Sequence, residues 1–122
     1  MRPEFAIATL AFALVGCSVQ PVVGEPVDLA IRTGGFTPAC HLNNIEGTLV
    51  PHAEAGVAIV EFGGPRTLPV LWPEGFTAQR VGDVVEVFNQ DGELIAQTGR
   101  RYRFEGGTDE AGWRGCDDVS PQ

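Results

Sequence analysis

The side chains best equipped for chemistry in this chain are three cysteines, Cys17, Cys40 and Cys116, and two histidines, His41 and His52. An odd number of cysteines leaves one thiol with a separate task. Cys17 stands directly after Leu14-Val15-Gly16, where a small residue precedes it, and a thiol in that position can accept an alkyl group. Cys40 and Cys116 then remain as a pair, which an oxidising compartment converts to a disulfide. No CxxC spacing occurs, so thioredoxin-like chemistry has no support. His41 and His52 match no metal motif, and Glu54, Asp117 and Asp118 join them only through folding, so no metal site is expected. Asn89-Gln90-Asp91-Gly92 lacks the first acidic ligand and the distal glutamate of a calcium loop and reads as a turn. Neither Gly-x-Ser-x-Gly, HExxH nor a phosphate-cradling glycine loop is present, and Ser18 and Ser120 lie near the two ends of the mature chain. No catalytic residue and no cofactor is therefore assigned, and the chain is not expected to be an enzyme.

What precedes Cys17 decides its chemistry. Arg2 opens the chain and Phe5 to Val15 is uncharged and mostly apolar, the length of a signal-peptide core. It is far shorter than the roughly 20 residues needed to span a bilayer. Leu14-Val15-Gly16-Cys17 has the form of a lipobox. Residues 1–16 are thus expected to be a cleaved signal-peptide helix, and Cys17 to carry a diacylglyceryl anchor. Stable anchoring takes more than one acyl chain. Ser18, rather than an aspartate, follows the cysteine, which in a Gram-negative cell permits sorting to the outer membrane.

Eight basic residues, all arginine, face 16 acidic ones, giving a net charge of −8. Removing residues 1–16 takes away Arg2 and Glu4 and leaves that balance unchanged. Such a protein repels phosphate backbones, which argues against nucleic acid as the main partner. Anionic headgroups repel it too, so membrane attachment rests on the anchor. A hydrophobic content of 43% with 16 glycines and 9 prolines suits a turn-rich globular domain.

The elements that must position these residues are short strands. Residues 17–26 carry proline and glycine without periodicity and read as a flexible tether, and residues 27–122 as one domain with a core at about 45–107. Val27 to Arg32 predicts a short strand, and a loop then delivers Cys40. Ile45–Val50 predicts a strand closed by Pro51, and Val57–Phe62 a second. Thr67–Trp72 predicts a third, at an edge or bulge because Pro69 cannot donate to a ladder. Phe76–Asp83 reads as a connector. Val84–Phe88 and Glu93–Gln97 flank Asp91-Gly92, a strong hairpin signal. In Arg100–Glu105, Tyr102 and Phe104 share one face while Arg101, Arg103 and Glu105 share the other. Gly106-Gly107 is expected to stop that strand, leaving a polar, irregular tail held by the disulfide. Five or six such strands predict an all-β fold, a small barrel of the OB or SH3-like kind.

From Ile45 to Thr108 the chain resembles small, mostly uncharacterised bacterial lipoproteins that carry one β domain after the lipobox. The shared features are Gly47-Thr48-Leu49-Val50, Val70-Leu71-Trp72-Pro73-Glu74-Gly75, the hairpin at Asp91-Gly92, Gly99 and Gly106-Gly107. The resemblance implies an OB-like barrel and no activity. Those proteins often place a cysteine at the start of the second strand, where this chain has Gly56-Val57-Ala58, so its bridge from Cys40 follows another path.

Two candidate binding features remain. Trp72 beside Pro73 could stack a ligand, although a tryptophan at a strand end ordinarily plugs a small barrel. Arg101 and Arg103 around Tyr102 could form a basic-aromatic strand for an anionic or protein ligand; the plainer alternative is a charged face that blocks edge pairing. The expected function is binding or scaffolding of an envelope partner, on the periplasmic or extracellular side of a bacterial membrane. The alternatives are an accessory or inhibitory subunit of an envelope enzyme, and a small-ligand or metal carrier using the barrel mouth near Trp72. One experiment tests the cysteine assignments. Non-reducing mass spectrometry of the mature protein should find lipid on Cys17 and Cys40 linked to Cys116, and Cys17→Ala should abolish labelling by a fatty-acid analogue. Persistent labelling, or two alkylatable thiols, would refute them.

Overall fold

A computed structural model describes residues 24–32 and 43–122, together with the side chains of all of these except 109, 117 and 118. The signal peptide, Cys17, most of the tether, Cys40 and His41 lie outside the described residues. Every regular element among the described residues is a strand: β1 Glu25–Val27, β2 Asn44–His52, β3 Gly56–Glu61, β4 Thr67–Leu71, β5 Thr77–Val81, β6 Val84–Phe88, β7 Leu94–Gln97, β8 Arg101–Asp109 and β9 Gly112–Pro121. The fold is all-β. Among the described residues no helix is long and apolar enough to cross a membrane.

Five strands close a barrel in the order β2-β3-β4-β9-β8, and β8 pairs back onto β2. Counted along the barrel alone, the fourth strand lies beside the first and the fifth inserts between third and fourth. That is a Greek-key barrel of the OB kind. Its neighbours are antiparallel except at β4–β9, where Val70 aligns with Trp113 and Leu71 with Arg114 in parallel. The alternation that predicts the strands also aims the core. Ile45 and Leu49 on β2, Val57 and Ile59 on β3, and Tyr102 and Phe104 on β8 are all buried.

The remaining strands, β1-β5-β6-β7, form a second sheet, most of it inserted in the chain between β4 and β8. Its Ala78, Val85, Val87 and Ala96 join the same buried cluster as Trp72, Phe104 and Trp113 of the barrel region. The hairpin at Asn89-Gln90-Asp91-Gly92 forms as expected. Asn89 Oδ1 accepts from the amides of Asp91 and Glu93, both at 3.0 Å, and Gly92 takes a φ of 81°.

Four local expectations are corrected. Residues 106–122 are not an irregular tail: β8 continues through Gly106-Gly107, and β9 is the longest strand among the described residues. These glycines permit a close approach instead of ending a strand. A Cβ on Gly106 would collide with the carbonyl oxygen of Arg114 and lie 2.8 Å from Trp113 Nε1. The Phe76–Asp83 connector contains β5, whose one inward side chain, Ala78, is too small to announce a strand. Pro51 lies inside β2, opposite Val57, and does not close it. The expected strand at Val27–Arg32 starts earlier, at Glu25 within the stretch read as tether, and ends at Val27; Ile31 makes a single parallel bridge to Trp72. Pro69 pairs with Ala58 of β3, and the ladder to β9 begins only at Val70, so no strand on that side needs its missing N–H.

Gly106 and Gly115 face each other across the β8–β9 ladder yet differ sharply in the space around them. A Cβ on Gly115 would meet nothing closer than Leu71 O at 3.5 Å. Gly106→Ala should therefore lower stability by about 2–4 kcal/mol, and Gly115→Ala by less than about 1. Chemical denaturation of both variants checks this, and equal effects would remove the close-approach explanation.

Candidate binding cleft

At one end of the barrel the β2–β3 turn is built by a histidine. His52 Nδ1 accepts from the backbone N–H of Glu54 at 3.3 Å and of Ala55 at 3.0 Å. An imidazole accepting at Nδ1 carries its proton on Nε2, so the ring keeps a donor beyond the turn. Gly56, at a φ of 86°, then starts β3 against the N-terminal segment: a Cβ there would lie 2.7 Å from Asp28 O. Ala30 N donates to Ala55 O at 3.0 Å, which fixes that segment across the turn.

These elements enclose an open cleft of about 380 Å³. Its walls are His52 and Glu54 of the turn, Pro69 and Leu71 of β4, Ala30 of the N-terminal segment and Ala111 of the β8–β9 turn. Small apolar side chains form the floor, with an imidazole and a carboxylate at the rim. In barrels of this kind, the turns joining the first and second strands and the fourth and fifth flank the ligand face. Here those are the β2–β3 and β8–β9 turns. Such a set can hold a ligand by apolar contact and orient it by two polar groups. Among the described residues, no three His, Cys, Asp or Glu side chains are grouped to hold a metal ion.

Of the candidate binding residues read from sequence, none of Trp72, Tyr102, Arg101 and Arg103 lines this cleft. Trp72 is 1% exposed, with its ring stacked on Phe76 at 5.7 Å. Its amide donates to Ala30 O at 2.9 Å, and its carbonyl accepts from Arg32 N at 2.8 Å. It is a core residue that ties the N-terminal segment to the barrel, and it offers no open mouth to a ligand. Tyr102 is likewise internal, edge-on to Phe104 at 5.8 Å, its hydroxyl accepting from Gln97 N at 2.8 Å across to the second sheet. Arg101 and Arg103 point outward, as the alternation predicts. The guanidinium of Arg101 lies 3.5 Å over the ring of Phe62. The basic-aromatic strand is thus divided between core and surface.

His52 and Glu54 were visible in sequence only as scattered polar residues, and the small cleft residues gave no signal. The β2–β3 register, which brings His52 opposite Gly56, is what gathers them. No family model, curated protein or solved structure matches this chain.

On the far side of the barrel from this turn, Arg66 and Glu61 form a two-pronged ion pair at 2.9 and 2.7 Å. The hydrogen bonds from Arg66 hold the Glu61 carboxyl below its ordinary range, and Arg66 is raised in return. Cys116 is buried, 3% exposed. Cys40 lies outside the described residues, so the pairing of the two is a proposal.

The Tyr102 hydroxyl is structural if Gln97 depends on it. Tyr102→Phe should then cost about 1–3 kcal/mol by leaving that amide without an acceptor. Arg103→Ala, on the exposed face, should stay within about 0.5 kcal/mol. Denaturant midpoints measure both; an unchanged midpoint for Tyr102→Phe would remove the role given to the hydroxyl.

Proposed function

We propose that this protein is a bacterial cell-envelope lipoprotein, anchored through Cys17 on the periplasmic or extracellular side, whose OB-like barrel binds another envelope component at the cleft between the β2–β3 and β8–β9 turns. The observation that carries the binding site is the cleft itself, with His52 and Glu54 on an apolar floor. The anchor rests on the Leu14–Cys17 pattern and on the resemblance to small bacterial lipoproteins. A Cys40–Cys116 bridge belongs to the same proposal, since it presumes an oxidising compartment. With a net charge of −8 and no arginine among the cleft residues, nucleic acid is disfavoured there.

A small-ligand carrier is the second reading, favoured by one observation: a volume of about 380 Å³ falls within the range of small-molecule sites. It relocates the ligand from the neighbourhood of Trp72 to the cleft.

A photo-crosslinking side chain at Ala111 tests the site in intact envelopes. A discrete protein adduct should form at Ala111 and not at Asp83, in the β5–β6 turn. Leu71→Asp, which puts a charge on the cleft floor, should reduce the adduct at least tenfold. Equal adducts at both positions, or an adduct indifferent to Leu71→Asp, would overturn the site. A small-molecule adduct in place of a protein would select the second reading.

A further inference from the structure

Glu54 is the one acidic residue lining the cleft, and no arginine lines it. His52 adds no charge there, because its Nδ1 accepts from two backbone amides and the ring keeps its proton on Nε2. Among the described residues, no hydrogen bond or ion pair engages the Glu54 carboxylate. By contrast, Glu61, Glu86 and Glu93 each accept from a neighbouring side chain. The arginines nearest the cleft in sequence and register do not neutralise Glu54. Arg114 aligns with Leu71 across the β4–β9 ladder but does not line the cleft, and its Nη1 is buried. Arg32, two residues beyond Ala30, donates through Nε to Gly115 O at 3.0 Å. Glu110, directly before Ala111 in the β8–β9 turn, adds a second carboxylate to this end of the barrel.

We infer that the cleft takes a cationic side chain of a partner protein, a lysine or arginine. Its head pairs with Glu54, its methylene stem lies on Leu71, Pro69 and the alanines, and its main-chain carbonyl accepts from His52 Nε2. This rests on the cleft proposed above as the binding site.

Each half of the cleft excludes other occupants. An anion meets Glu54 on a protein whose net charge is −8. A purely apolar group covers the floor but leaves the carboxylate without a partner. A small inorganic cation makes only an exposed ion pair, which contributes little, and gains nothing from the floor. A long basic side chain answers both parts, since its stem buries against apolar surface while its charge stays in water. The imidazole donor then separates a protein from a free amine. It calls for an acceptor close to the cation, which a peptide carbonyl supplies and an aliphatic amine lacks. The acidic surplus of the whole chain also speeds the approach of a basic partner.

Nuclear magnetic resonance titrations of the full-length mature protein in a zwitterionic detergent test this. The amide signals of Ala55, Leu71 and Ala111 report on the cleft, and that of Asp83 is the control. The probes are an acetylated, amidated Ala-Lys-Ala tripeptide, its norleucine and glutamate counterparts, and n-butylammonium. The lysine tripeptide should shift the three cleft signals and bind about three- to fivefold more tightly than the norleucine one, the factor an exposed ion pair supplies. The glutamate tripeptide should bind most weakly, and Glu54→Gln should remove the preference for lysine. Equal affinities for lysine and norleucine, a preference that survives Glu54→Gln, or no cleft shift with any probe would overturn the proposal. Butylammonium binding as tightly as the lysine tripeptide would overturn it in favour of a free amine. In intact envelopes, an Ala111 adduct that Glu54→Gln leaves unchanged would keep the cleft and overturn the cation. No adduct at Ala111 would instead sink the cleft itself.

Discussion

The structure depends on how β9 is admitted between β4 and β8. Two backbone approaches make room for it. Gly106 passes the carbonyl of Arg114, and Gly112 passes the carbonyl of Pro69, each so closely that a Cβ would collide. β9 thereby pairs on both sides, and five strands close with no free edge. Closure buries Trp113 and Cys116 and gives Phe104 the walls it packs between. It also brings the β8–β9 turn, with Ala111, opposite His52 and Leu71, so the cleft is a consequence of the seam. Arg32 adds a lateral tie by donating through Nε to Gly115 O at 3.0 Å. A bridge from Cys40 to Cys116 would fasten this same strand, and by the chain-entropy account a loop of that length contributes about 4–5 kcal/mol. The covalent staple and the steric fit would then act on one element.

The second sheet is attached by a few polar bonds around a shared apolar core. Tyr102 of β8 accepts from Gln97 of β7, while within the sheet Thr98 Oγ1 accepts from Val85 N at 2.9 Å. Thr98 is itself buried, so that bond satisfies an amide with no other access to water. Both free edges of this sheet are short, three residues in β1 and four in β7, which limits the exposed ladder available to another chain. Stacked on Phe76, Trp72 occupies the junction between barrel and sheet. A residue placed there cannot also present a ring to ligand.

Much of this was legible where side-chain size follows the pleat. Val57–Ile59, Val84–Phe88 and Tyr102/Phe104 announce themselves by alternation or β-branching, and Asp91-Gly92 by turn chemistry. What sequence concealed shares one physical feature: strands whose inward positions are small. β5 shows only Ala78, and β8 passes β9 closely at Gly106, where glycine reads as an interruption although it serves as clearance. The cleft was hidden for the same reason, because alanines and a proline carry no chemical signature until register assembles them around His52. Tyr102 and Trp72 misled in the opposite sense. Aromatic residues next to arginine or proline look like recognition surfaces, and only burial shows that the core uses them.

The two ends of β3 differ in chemistry. At Gly56 the chain offers a carboxylate, an imidazole donor and small apolar walls, with no arginine lining the cleft. Toward Phe62 it offers one exposed ring with the Arg101 guanidinium over it, beside the Glu61–Arg66 ion pair. The Glu54 carboxylate thus stands at a cleft lined by no arginine, whereas at the opposite end Glu61 is already paired with Arg66, so the end with a carboxylate still open to a ligand is the one where the cleft lies.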